Sequence, residues 1–409
     1  MTAPSVRAQF RALTPAARLL VVNQFGINVG FYMVVPFLAT YLVDDLGYAA
    51  ALVGVVLGVR TLSQQGLFLV GGTAADRLGA RPVIVLGCAL RVLAFGLFAL
   101  VTSPIGIVAA AMLTGFAGAL FNPAVRAYLT REAGEERAGA FAVFNTAADA
   151  GAFAGPLLGA ALLAVDFRLV AAVACGTFLL LTVAQVLVLP PHAVESHPEG
   201  VFASWGTVVR NRRFVAFTLC GSAYLALYNQ VYLVLPLEAQ RVTGTPAVVG
   251  VLFAVSTVTG IVLYVRVAAW AARRWSPGTC VAAGLALMGA GFAPVAVSAP
   301  LLPTAAGLVP AAALPVLAGA VVFTFGIALA NPFTMQLLPV VGSERLIGTY
   351  YGFYYLVSAL VAAVISIGAG ALLDLGGAGW RAAAPAALIA VGLAGAAGTA
   401  FMQRRGLLS

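Results

Sequence analysis

The chain has 409 residues, 62% of them hydrophobic and 9% charged, with a mean hydropathy of +1.04. A soluble globular domain cannot hide that much apolar surface, so the composition predicts a polytopic membrane protein. The formal charge of +9 comes from arginine alone, because no lysine occurs, and the arginines sit in short loops rather than basic clusters, which argues against a nucleic-acid partner.

Residues 1–15 place Arg7 and Arg11 between apolar residues, the pattern of a short interfacial segment on the bilayer. Twelve spans follow, at 18–42, 48–74, 82–101, 104–127, 139–163, 168–190, 214–237, 247–270, 278–298, 312–336, 347–371 and 381–402. Each is about long enough to cross ~30 Å of hydrocarbon. The first carries no small-residue cleavage site after it, so it is expected to remain as a helix. Residues 191–213 are the longest polar stretch and divide the chain into two halves of six spans, 16–190 and 214–409. The expected fold is thus an all-α membrane protein, with twelve transmembrane helices in two pseudo-symmetric six-helix bundles.

Twelve spans put both termini on one side, and the loops on that side carry Arg7, Arg11, Arg77, Arg81, Arg131, Arg137, Arg210, Arg212, Arg213, Arg273, Arg274, Arg345, Arg404 and Arg405. The opposite loops hold Arg168, Arg241 and Arg381 beside Asp44, Asp45, Asp166, Glu238 and Asp374. The positive-inside rule then makes both termini cytoplasmic.

The halves read as repeats. Asn28 to Pro36 in span one echoes Tyr228 to Pro236 in span seven, and Val53-Gly54-Val55 returns as Val249-Gly250-Val251. Asn122-Pro123 returns as Asn331-Pro332, followed at matching places by Glu136-Arg137 and Glu344-Arg345. Parallel halves of this kind are a plan of secondary transporters, with the substrate near mid-membrane.

Two stretches carry most of the sequence signal. Gly72-Thr-Ala-Ala-Asp76-Arg77-Leu-Gly79-Ala-Arg81 joins spans two and three through a tight turn. Asp149-Ala-Gly151-Ala-Phe-Ala-Gly155-Pro156-Leu-Leu-Gly159 sets glycines at every fourth position of span five, which makes one smooth helix face, and leaves a carboxylate pointing elsewhere. The glycine face is expected where the halves pack.

These stretches resemble the loop signature and the antiporter signature of the major facilitator superfamily. The resemblance covers essentially the whole chain and is nearest to twelve-span bacterial drug–proton antiporters of the MdtH type. Further matching pieces are Arg60 to Gly66, Phe121-Asn122-Pro123, Asp166 to Val170 and Arg210 to Val215. The resemblance implies a bacterial inner-membrane exporter in which Asp76 latches the start of span eleven. Gly72, Arg77, Gly79, Arg81, Gly151, Gly155, Pro156 and Gly159 would serve the conformational switch. One departure is plain: residues 110–118 lack the superfamily's span-four arginine.

Charges inside spans are costly enough to be functional candidates, and Arg60, Arg91, Asp149 and Arg266 qualify, whereas Arg126 and Glu238 lie nearer span ends. At 1.5 Å per residue, Arg91 and Asp149 both sit roughly 14–15 Å from the cytoplasmic boundary and Arg60 roughly 21 Å. Matching depth makes Arg91 the expected partner of Asp149, with Asp149 the proton carrier, and leaves Arg60 as the cavity cation. In the repeat, Arg60 falls on Ser256 and Asp149 on Ser358, so the shared scaffold does not account for these charges.

Candidate substrate contacts are Gln24, Asn28 and Tyr32 at helical spacing on span one, Tyr224, Tyr228 and Tyr232 on span seven, and Gln64, Asn122, Asn331 and Tyr354. Tyr350, Tyr351 and Tyr355 crowd the same part of span eleven. Such a set suits a bulky amphipathic molecule, neutral or anionic.

The expected partners are that molecule, protons and the lipid bilayer, with the chain acting as a monomer. No cofactor or metal is expected: Cys88, Cys175, Cys220 and Cys280 are isolated in apolar runs, and His192 and His197 lie in the polar linker. The absence of His–metal, Ser–His and paired-carboxylate constellations argues against an enzyme. An uptake symporter for a metabolite, a lipid flippase and a non-transporting sensor are the competing readings.

Overall fold

The computed structural model describes residues 10–11, 13–133, 137–190, 205–305, 309–342, 347–377 and 380–408. The described part is helical, without strands, and contains eleven helices long and apolar enough to span a membrane. Most of the 1–15 segment, residues 191–204 of the linker with both histidines, and the Glu136, Glu344 and Arg345 positions lie outside it. So do the side chains of Asp76 and Arg137.

The helices are α1 (Pro15–Thr40, prolonged by a π turn over Tyr41–Asp45), α2 (Ala50–Gln65), α3 (Phe68–Leu78), α4 (Ala80–Leu100), α5 (Pro104–Ala133), α6 (Arg137–Leu163) and α7 (Phe167–Val188). After the linker come α8 (Trp205–Arg210), α9 (Arg212–Tyr228), α10 (Val234–Thr243), α11 (Ala247–Ala272), α12 (Pro277–Ala290), α13 (Ala293–Ser298), α14 (Leu314–Val341), α15 (Ile347–Asp374) and α16 (Ala383–Arg404). Three spans read as single segments are composite. The second is interrupted at Gly66–Leu67 between α2 and α3, the seventh by a 3₁₀ turn over Asn229–Val231, and the ninth at Gly291–Phe292.

Helix ends are set by local chemistry. Asp166 caps α7 by accepting from the Arg168 N–H at 3.0 Å, and Asn211 caps α9 by accepting from the Phe214 N–H at 3.0 Å. Ser276 precedes Pro277, which fits the first turn of α12 because its missing N–H would have had no helical partner. Gly79 joins α3 to α4 at φ +89°, a backbone that side chains rarely adopt, so this glycine of the loop signature is needed for the turn itself.

The chain divides into two compact units, one of residues 1–34 and 67–199, the other of 35–66 and 200–409. In the first, α4 packs against α5 and α7, with Phe95, Phe121 and Phe178 fully buried among them. In the second, α2 lies against α15 along a small-residue seam. A Cβ at Gly54 would strike the Ser366 carbonyl, one at Gly370 the Ala50 carbonyl, and one at Gly58 would come within 3.0 Å of the Ala363 Cβ. Backbones this close gain dispersion along their whole length, which matters where lipid supplies no hydrophobic drive. Asp374, at the end of α15, closes the seam by accepting from the Ala50 and Ala51 N–H groups at 2.7 and 2.8 Å. It thereby caps a helix 323 residues earlier.

Candidate functional site

Two polar clusters emerge, one in each unit. In the second unit Arg60 of α2 is 7% exposed. Its Nη1 donates to Gln64 Oε1 at 3.1 Å and its Nη2 to Thr61 Oγ1 at 3.3 Å, while its guanidinium carbon lies 5.8 Å from the centre of the Tyr232 ring. Thr61 and Asn229 are hydrogen-bonded to each other at 3.0 Å, which ties α2 to the 3₁₀ turn of the seventh span. Gln230, next in that turn, donates to Ser366 Oγ at 3.2 Å and to the Ala226 carbonyl at 2.9 Å. The break therefore coincides with a cross-link to both α2 and α15. Irregular backbone is tolerated at membrane depth only where its polar groups are satisfied. Here the Asn229 and Gln230 carbonyls accept from the Tyr232 and Leu233 N–H groups at 3.1 and 3.3 Å, while Thr61 and Ser366 hold the side chains of the turn.

Rings extend from this point. Tyr224 and Tyr228 stack at 6.1 Å with planes 10° apart, Tyr228 meets Tyr232 edge-on at 6.0 Å, and Tyr232 tilts onto Phe253 at 5.4 Å. Tyr224 lies within electrostatic reach of Tyr228, Tyr264, Tyr354 and Tyr355. Asn331 donates to the Tyr264 hydroxyl at 2.9 Å, and the Tyr355 hydroxyl approaches Met335 Sδ at 3.6 Å. Tyr224, Tyr228, Tyr264, Asn331, Tyr351, Tyr355 and Gln64 are half-buried, whereas Tyr232 and Tyr354 are buried. Tyr354 is held by packing, its hydroxyl donating to the Gly221 carbonyl at 3.3 Å and its ring lying over Gly221.

This group brings together Arg60, Gln64, Tyr224, Tyr228, Tyr232, Asn331 and Tyr354, all candidates from the sequence. Thr61, Asn229 and Tyr264 are additions. The signal for Asn229 was its place in the repeated Tyr228–Pro236 stretch and for Thr61 its place in the Arg60–Gly66 piece beside Arg60; Tyr264 stands in an apolar run with nothing to mark it. Glu238 is not a free charge: Arg241 holds it with Nε at 2.8 Å and Nη2 at 2.5 Å, and Arg241 Nη1 also donates to the Leu302 carbonyl.

In the first unit Gln24 donates to Asn28 Oδ1 at 3.2 Å, and Asn28 Nδ2 to the Ala148 carbonyl at 2.8 Å, beside Asp149. Asp149 is exposed on α6. Gly151 and Gly155 allow α6 to touch α1, since a Cβ at the former would meet the Phe25 carbonyl and Asn28 Cβ, and at the latter Tyr32 Cβ at 2.8 Å. Gly151, Gly155, Pro156 and Gly159 are all buried. The glycine face, expected between the halves, is thus turned at Gly151 and Gly155 onto a helix of its own unit.

The expected Arg91–Asp149 pair is not formed. Arg91, 5% exposed on α4, lies 4.8 Å from the centre of the Phe121 ring and 5.9 Å from that of Phe178. Its Nε and Nη1 are buried without a hydrogen-bond partner among the described residues. Equal depth fixes height and not direction: α4 packs against α5 and α7 rather than α6. Asn122, beside Phe121, is half-buried.

Of the loop signature, Arg81 ties the start of α4 to the end of α7 through a 3.0 Å bond from Nη2 to the Val186 carbonyl. Arg77 is exposed, and a Cβ at Gly72 would meet nothing within 4 Å. The side chain of Asp76, the expected latch, lies outside the described residues. Among the described residues no three His, Cys, Asp or Glu side chains come together to hold a metal.

The Major Facilitator Superfamily model matches residues 20–366. An MFS-type transporter of Mycobacterium tuberculosis is 41% identical over 373 residues, 90% of this chain and 88% of the relative. Multidrug resistance protein MdtH of Photorhabdus laumondii is 33% identical, over 87% of this chain and 86% of its own. Among solved structures, the nucleoside transporter NupG superposes with a TM-score of 0.80 at 11% identity, covering 95% of this chain and 99% of that one. A peptide transporter of the POT family gives 0.80 at 15% identity with full coverage of both chains. At such identities the structural likeness speaks for the fold alone. With the matched sequence spanning most of a helical, multi-pass chain, the protein is a membrane transporter rather than an enzyme, and it belongs to the major facilitator superfamily.

Proposed function

We propose that the protein is a proton-coupled exporter of hydrophobic or amphipathic compounds in the bacterial inner membrane, with both termini cytoplasmic, working by alternating access. The observation that carries this reading is the half-buried tyrosine cluster beside one hydrogen-bonded guanidinium. Tyrosine rings offer broad apolar faces with a polar edge, which suits flat molecules of varied outline better than a sugar dense in hydroxyls. Arg60 adds a single positive group that favours neutral or anionic cargo. The similarity to proteins named MdtH supports multidrug efflux as the physiological task.

Asp149 is the proton carrier in this reading. It is accessible, lies beside the Gln24–Asn28 chain, and stands next to the close α1–α6 contact at Gly151. Its charge sits one residue from the Ala148 carbonyl through which Asn28 holds the two helices together. Gly155 continues that contact, Pro156 and Gly159 are buried further along α6, and Asp76 serves as the conformational latch.

The test is a susceptibility profile across chemically varied antibiotics in an efflux-deficient host, paired with export from proteoliposomes under an imposed pH gradient. Wild type should raise resistance to several hydrophobic compounds, and Asp149→Asn should lose at least tenfold of gradient-driven export. Unaltered gradient dependence in Asp149→Asn would remove the proton assignment. No resistance to any compound would turn the reading toward a metabolite or lipid transporter of the same fold.

A further inference from the structure

Arg266 has no part in the site described above. It stands six residues inside the end of α11, about 9 Å along the helix, and it is exposed on the flank where Val258, Ile261, Val262 and Val265 are exposed too. An arginine on a lipid-facing flank at that depth is costly unless something neutralises it. Its one hydrogen bond among the described residues, from Nη1 to the Val262 carbonyl at 3.1 Å, leaves the rest of the guanidinium free.

The following turns add more positive charge. Arg266, Ala269, Trp270 and Arg273 fall at helical spacing on one face and, with Arg274, line a cleft of about 320 Å³. No acid lines it, and none of its three arginines is ion-paired among the described residues. Arg274 sits 5.1 Å from the centre of the Trp270 ring, and Trp270 meets Trp275 edge-on at 5.0 Å. Tryptophans concentrate at headgroup level, so this pair marks the depth of the cleft. The neighbouring turn into α12 lies at the end of the unit that also carries the C-terminal residues, since a Cβ at Gly278 would meet the side chains of Gln403 and Leu408.

We propose that this cleft binds an anionic phospholipid of the phosphatidylglycerol type. Its phosphate lies among Arg266, Arg273 and Arg274, and an acyl chain runs down the strip of Val258, Ile261, Val262 and Val265. Charge complementarity selects an anion, and the apolar strip leading directly out of the cleft selects a lipid over a free phosphate. The headgroup supplies the neutralising charge that Arg266 lacks within the chain. This site stands independently of the export reading.

Native mass spectrometry of the detergent-purified full chain, titrated with phosphatidylglycerol, phosphatidylcholine or inorganic phosphate, tests it. Phosphatidylglycerol should bind in preference to phosphatidylcholine. Near-surface arginines each contribute about 1 kcal/mol toward anionic lipid, so each removal should weaken binding about fivefold, and Arg266→Gln/Arg273→Gln/Arg274→Gln on the order of a hundredfold. Arg404→Gln/Arg405→Gln, which removes charge from α16 and the residue after it, should leave the affinity within twofold. The proposal fails if the triple variant keeps its affinity, if the α16 control loses as much, or if both lipids bind alike. Equal protection from thermal unfolding by millimolar inorganic phosphate would make this a free-anion site and overturn the lipid assignment. Should the triple variant not fold, Arg266→Gln alone and Arg273→Gln/Arg274→Gln carry the same readout.

Discussion

Arg60 and Arg91 are both more than nine-tenths buried, yet they are kept in different ways. Arg60 has neutral oxygens on two of its nitrogens and the Tyr232 ring beside it, in a chain of contacts that runs through Thr61 to the turn at Asn229. Arg91 lies against Phe121 and Phe178 with two nitrogens unpartnered among the described residues. A guanidinium held by exchangeable hydrogen bonds can trade them for those of a ligand. One sandwiched by rings contributes cation–π attraction, about 2 kcal/mol when desolvated, against the full cost of a buried charge. Burial alone therefore does not mark a functional charge, whereas the chemistry of its neighbours does.

Substitutions can break or sharpen this contrast. The largest effect is expected where Arg60 takes its position. Gly54→Leu would drive a side chain into the Ser366 backbone and separate α2 from α15, so most of the protein should be lost from the monodisperse peak in fluorescence-detected size exclusion. Arg60→Met should fold but lower export by at least tenfold in proteoliposomes, and retained export would dissolve the distinction between the two arginines. Arg91→Met should hold export within twofold and raise Tm by a few degrees, because an unpaired buried charge gives way to an apolar chain of similar length. A fall in Tm would mean that the rings contribute more than the charge costs. The smallest effect belongs to the cap: Asp374→Ala should cost about 1 kcal/mol, seen as a shift of about two degrees in Tm.

The helices were legible because hydropathy and length determine them. The span read at 104–127 became Pro104–Ala133 and that at 247–270 became Ala247–Ala272. Tyr224 and Tyr228 were legible as a pair because helical spacing puts them on one face, and Tyr232 joins them across the 3₁₀ turn through its ring contact with Tyr228. The seam of Gly54 and Gly58 was not, since in a chain with 45 glycines a pair four residues apart carries little contrast. The glycines at 151 and 155 were read correctly as a close-contact face, but nothing local says which helix will lie against it. Asp374 read as a loop acid, because its partners stand at the other end of the chain. The mispairing of Arg91 with Asp149 has a similar root. Distance along a span is a single coordinate, and pairing needs the bearing around the helix axis as well.

The interruption of the seventh span has a mechanical consequence. α9 carries the stacked tyrosines, while α10 is moored by Arg241 to the Leu302 and Ala299 carbonyls. The short length between them is a joint whose two sides are gripped by different neighbours. It contains no glycine, so the interruption comes from a change of hydrogen-bond register rather than from backbone freedom. Such a joint can flex by exchanging one set of carbonyl partners for another while the helices on either side stay rigid. The Tyr228–Tyr232 ring contact at 6.0 Å spans this turn, so load applied at the rings reaches the far side of the break through it as well as through Asn229 and Gln230.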